Sequence, residues 1–114
     1  MTTTRQKQRL LIVFAPNQRD QDYTAFAREL KDRSLDVAAA DVLVMEALES
    51  GRSRVGDTPI EGAAVKSVRT RFSAKDGAFS VVLADKMGTV LFRADHAVPL
   101  DDVLAAAKVK EEEI

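Results

Sequence analysis

Arg9-Leu10-Leu11-Ile12-Val13-Phe14-Ala15-Pro16-Asn17-Gln18-Arg19-Asp20-Gln21 is the stretch from which the rest of the chain is read. Leu10 to Phe14 is an unbroken apolar run of strand length, the pattern of a strand buried on both faces. Pro16 ends it, because proline has no N–H to give a ladder. Asn17 to Asp20 is a polar turn, and Asn17 or Asp20 stands where a helix cap is needed. The helix itself is expected from Gln21 to about Ser34, since Tyr23, Phe26, Ala27 and Leu30 recur on one face. Asp22, Arg28, Glu29 and Lys31 take the other side.

Leu35 to Ala39 reads either as a connector or as an edge segment. Asp41 to Glu46 is a second buried strand, and a strand–helix–strand unit of this length makes the two strands parallel. Ala47 to Asp57, with Gly51 and Gly56, is the least structured stretch. Thr58, Pro59 and Glu61 carry a helix-start signature: a cap, a proline at the first helical position and a glutamate three residues after the cap. That helix is expected to run to about Phe72 with Ala64, Val65, Val68 and Phe72 inward and Lys66, Arg69 and Arg71 elsewhere. Lys75-Asp76-Gly77 is a turn. Ala78 to Ala84 and Thr89 to Arg93 form a hairpin across Asp85-Lys86-Met87-Gly88. A last helix begins near Pro99, with Asp101 and Asp102 complementing its dipole.

Composition narrows the function classes. The 114 residues include 17 basic and 18 acidic ones, for a net charge of -1, so nothing marks a nucleic-acid footprint and none is expected. There is no cysteine, which removes disulfides, thiolate catalysis and cysteine metal sites together. His96 alone cannot assemble a zinc site, so neither metal nor cofactor is expected. No apolar stretch reaches membrane-spanning length, and no membrane association is expected. The first apolar run is too short for a signal-peptide core. The default location is cytoplasmic; removal of an export signal would make it periplasmic or secreted.

The element order predicts an α/β three-layer sandwich, with a four-stranded mixed sheet of order 2-1-3-4 and helices on both faces. Another small α/β sandwich of the same order is the runner-up. The expected layout is a disordered lead-in at 1–8, one domain at 9–110 and a charged tail at 111–114. In topology the chain resembles thioredoxins and peroxiredoxins. More closely, it resembles the family called domain of unknown function 4174, found in bacterial proteins and at the C-terminal end of some sushi-repeat and related extracellular matrix proteins. The residues that carry the resemblance are Arg9 to Pro16, Asp41-Val42-Leu43-Val44-Met45-Glu46, Arg71-Phe72, Phe79-Ser80-Val81-Val82, Leu83 and Asp85-Lys86-Met87-Gly88. These are strands and turns; none is a catalytic motif, and the resemblance implies a thioredoxin-like fold without an activity.

The departures from thiol enzymes are informative. A thioredoxin would place Trp-Cys-x-x-Cys just past the first strand, where this chain has Gln18 and Gln21 at the cysteine positions. A peroxiredoxin would have a threonine near Asp20 and its cysteine near Tyr23. The thioredoxin cis-proline is replaced by Asp76-Gly77-Ala78. Disulfide exchange and thiol-based peroxide reduction are excluded for this chain.

Open α/β sheets bind ligands where strand ends meet helix N-termini. Asn17, Gln18, Arg19, Asp20, Gln21 and Tyr23 are therefore the candidate binding residues. The expected function is a non-catalytic module that acts by protein binding or self-association, with a protein partner or a homodimer. Two alternatives are weighed beside it. One is an anion or small-ligand site at Arg19, or a basic cluster of Arg52, Arg54, Lys66, Arg69 and Arg71. Asp20 and Asp22 with Asp41 and Glu46 mark the same sheet edge as a candidate ligand site. The other alternative is an enzyme built from several of Asp20, Asp41, Asp57, Asp76, Asp85 and His96, or from the Asp95-His96 pair. Solvated charges, helix caps and an exposed loop histidine explain these residues more simply. Phe72, Phe79 and Phe92 read as core, and Gly77 and Gly88 as turn residues.

Overall fold

The N-terminal apolar run forms β1 (Arg9–Ala15), in which Leu11 through Ala15 are all buried. The computed structural model describes residues 8–112, with side chains as far as Ala107. Apart from Gln8, the expected lead-in lies outside the described residues, as do residues 113 and 114 of the tail. α1 (Gln21–Asp32) follows the turn, and Asp20 caps it by accepting the Tyr23 N–H on Oδ2 at 3.0 Å. The ambiguous segment after it is helical, as α2 (Ser34–Ala39). Asp41 then reverses the chain at φ 58°. β2 (Val42–Leu48) runs parallel to β1, from Arg9 opposite Val42 to Ala15 opposite Leu48.

The expectation of a four-stranded sheet is corrected by the structure. The sheet has six strands in the order β4-β3-β2-β1-β5-β6. The additional strands, β3 (Arg54–Val55) and β4 (Thr58–Pro59), extend the sheet beyond β2. Val55 pairs with Thr58, so Gly56-Asp57 is a two-residue hairpin loop. Gly56 has φ 59°, and such loops favour glycine where they need positive φ. This turn takes Thr58 and Pro59 into a strand before a helix can start on them. Proline is tolerated because β4 is the sheet edge. α3 (Gly62–Arg71) begins later, and Glu61 at its cap makes no side-chain bond to it.

β5 (Ser80–Ala84) is antiparallel to β1, and β6 (Val90–Ala94) is antiparallel to β5. α4 (Leu100–Glu112) closes the described chain. One sheet face packs Leu11, Val13 and Leu83 against Phe26 of α1 and Leu100 and Val103 of α4. The other packs Ile12, Phe14 and Val82 against Val65 of α3 and Phe72 just beyond it. β1 is thus covered on both faces, which is why its sequence shows no alternation. The inward stripe of α3 also differs from expectation: Ala64 is exposed, while Arg69 is buried. Among the described residues, no helix is long and apolar enough to cross a membrane.

Candidate functional site

The turn after β1 is organised by its own side chains. Asn17 Oδ1 accepts the Arg19 N–H at 2.8 Å, and Asp20 is committed to the α1 cap. Asn17, Gln18, Arg19 and Gln21 are exposed. Gln18 lies over the loop after β2, where a Cβ added at Gly51 would be 3.5 Å from its Oε1.

Tyr23 joins this turn to the sheet. It is buried in the first turn of α1, and its hydroxyl donates to Glu46 Oε1 at 2.8 Å. Glu46 belongs to the β2 set Val42, Val44, Glu46 and Leu48, whose apolar members pack on the α1 side. Arg54 stands opposite Glu46 in the β2–β3 register, and its Nε is 3.4 Å from the same Oε1. Burial pushes the Tyr23 phenol up to about 12; the Glu46 hydrogen bond and charge add to this, and Arg54 and Gln18 only partly oppose it. At neutral pH Tyr23 is therefore a protonated donor, without nucleophilic or basic character.

Gln18, Tyr23, Val44, Glu46, Arg54 and Gly56 are among the residues lining a groove of ≈ 870 Å³ between α1 and the β3–β4 hairpin. Three cations, Arg28, Lys31 and Arg54, and three carboxylates, Asp32, Glu46 and Asp57, line it together. The groove is electrically balanced, and Ala27, Leu30 and Val44 give it apolar lining.

A second cluster escaped the sequence reading. Arg69 Nη2 donates to Lys75 O at 3.1 Å and to Glu49 Oε2 at 3.4 Å; its Nη1 lies 3.5 Å from Ala47 O. Its guanidinium is 5.9 Å from the centroid of the Phe14 ring. Glu49 also accepts the Gly77 N–H. Arg69 thus ties the 75–77 turn to the end of β2. The signal was present in the spacing of Val65, Arg69 and Phe72, four and then three residues apart.

The remaining candidates do not converge. Asp22 accepts the Ala97 N–H at 3.1 Å, and Asp85 accepts from Met87 and Thr89 within its own turn at 2.9 Å each. Asp76 faces Arg69 at 3.5 Å, and Asp41 lies in the turn entering β2. His96 Nδ1 and Asp95 Oδ1 are 3.1 Å apart, but both side chains are exposed. The His96 hydrogen bond lowers the Asp95 carboxyl below its ordinary range. No group of three or more His, Cys, Asp or Glu able to hold a metal occurs among the described residues. Of the basic residues, Arg54 faces Glu46, Arg69 is buried in its clamp beside a cavity that Lys66 also lines, and Arg71 stacks 5.7 Å from the Phe72 ring.

The model of the family described as domain of unknown function (DUF4174) matches residues 1–106. Among solved structures, a thioredoxin-fold protein from Helicobacter pylori is similar with a TM-score of 0.53 at 13% sequence identity. The match covers 90% of this chain and 68% of that one, and at such identity it establishes the fold alone. No curated protein matches the sequence.

Proposed function

We propose, from the premise that the chain belongs to the DUF4174 family, that it is a binding module recognising a protein partner at the groove beside the start of α1. It is a cysteine-free module of thioredoxin fold, and thiol chemistry is closed to it. The observation that carries the proposal is the replacement at the thiol edge. Where a nucleophile would stand, a proton-holding phenol is locked to a buried carboxylate beside an open groove of mixed polarity. Such a surface offers hydrogen bonds and apolar contact in fixed positions, which suits recognition.

Selection of displayed dodecapeptides on the folded chain tests this. Selected peptides that shift the backbone amide resonances of Gln18, Tyr23, Arg54 and Gly56 support the reading. Failure of every selected peptide to perturb these resonances rejects it.

Self-association is a second reading. Leu43, Met87 and Val90 are large apolar side chains exposed to 37%, 82% and 44%. By register, Leu43 and Val90 stand at the two ends of a lateral row whose middle members, Leu10 and Ala84, pack into the core on the α3 side. Sedimentation equilibrium decides it: a concentration-dependent mass that Val90→Lys abolishes supports a dimer, and a constant monomer mass refutes one.

A further inference from the structure

We propose that Glu46 and Arg54 together read the backbone N–H and C=O of one residue of an extended polypeptide segment lying in the groove. Glu46 Oε2 accepts the N–H, and the terminal guanidinium nitrogens of Arg54 donate to the carbonyl. This rests on the reading that the groove takes a protein partner.

Both internal contacts of Glu46 end on one oxygen. Tyr23 donates to Oε1, and Arg54 Nε faces that same atom. Among the described residues no donor meets Oε2, although the Glu46 side chain is only 8% exposed. A carboxylate has lone pairs for about four bonds, so Oε2 keeps acceptor capacity that the two contacts on Oε1 do not use. Oε2 is not among the fully sealed atoms, and Glu46 lines the groove.

Arg54 supplies the complement. Its side chain is 52% exposed, and Nε is its one nitrogen engaged among the described residues. The two terminal nitrogens keep four hydrogens free, on the strand paired directly with that of Glu46. An acceptor and a donor side by side match the N–H and C=O of one residue in an extended chain, which point the same way from two successive amides. The charge balance of the lining disfavours a ligand of strong single sign. Ala27, Leu30 and Val44 leave an apolar stretch for a neighbouring side chain of the segment.

The test takes a selected peptide and methylates its backbone nitrogens one at a time. One position should weaken binding by roughly tenfold, the scale of a hydrogen bond to a charged group, while the others change little. Arg54→Gln should lose a similar factor while the chain stays folded by far-ultraviolet circular dichroism, and Arg54→Lys should recover part of it. In the Arg54→Gln background the sensitive methylation should cost less than in the wild type, because the two bonds hold one residue of the segment. Groove binding that is indifferent to every methylation overturns this inference and leaves the binding-module reading standing. So does loss on replacing a peptide Asn or Gln side chain with no sensitive backbone position. Absence of any peptide binding overturns both.

Discussion

Glu46 Oε1 is held 2.8 Å from the Tyr23 hydroxyl, joining the first turn of α1 to the middle of β2 across 23 residues of sequence. This bond links the candidate edge to the core.

Tyr23→Phe removes the donor while preserving the ring. Glu46 keeps Arg54 but loses its shorter contact, so the variant is expected to be destabilised by about 1.5–3 kcal/mol, the range for hydrogen bonds to charged groups. Urea denaturation followed by far-ultraviolet circular dichroism measures it; an unchanged midpoint would show that the bond contributes nothing.

The phenol also sets an alkaline limit. Below pH 10 Tyr23 is protonated in both folded and unfolded chains, and its contribution is fully present. Above that value the unfolded chain releases the proton while the folded chain holds it to about 12, so stability falls as pH rises through this window. Tyr23 is the sole tyrosine, so absorbance near 295 nm reports its titration alone. A folded-state midpoint near 10 would refute the assignment.

Arg69→Met should expose the dependence of the 75–77 turn on its clamp. The buried guanidinium serves Ala47 O, Lys75 O and Glu49, and its loss is expected to cost roughly 2–3 kcal/mol, reduced from that of a fully buried pair because Glu49 reaches water. Arg69→Lys should restore only part, since one ammonium cannot span these acceptors. Hydrogen exchange at Gly77 should quicken in both variants; protection equal to wild type would contradict the clamp.

Asp20→Ala removes the α1 cap, with an expected loss of about 1 kcal/mol. Faster amide exchange at Tyr23, confined to the first turn of α1, is the accompanying signature.

Long elements were legible because periodicity and burial act together. The run at 10–14 and the stripe of Tyr23, Phe26 and Leu30 specify β1 and α1 without tertiary information. β3 and β4 were not, because two-residue strands have no period. Thr58-Pro59-x-Glu61 also imitates a helix start, until the Gly56 turn pairs it with Arg54 and Val55. At the site, Tyr23 and Gln18 could be placed at the edge by topology. The partnership of Tyr23 with Glu46 and Arg54 depends on strand registers that no local pattern carries. Arg69 was read as a solvated charge because charge outweighed position, although its spacing from Val65 marked the inward face.

Pro59 has a consequence beyond its role in the hairpin. It lies on the outermost strand, where it offers no N–H to an approaching chain, and that strand is only two residues long. Strand addition is left to the β6 side. A sheet with one usable edge has a valence of one. Two copies joined edge to edge would present blunted strands at both outer limits, so growth by this route terminates as a closed pair and cannot propagate into a fibre.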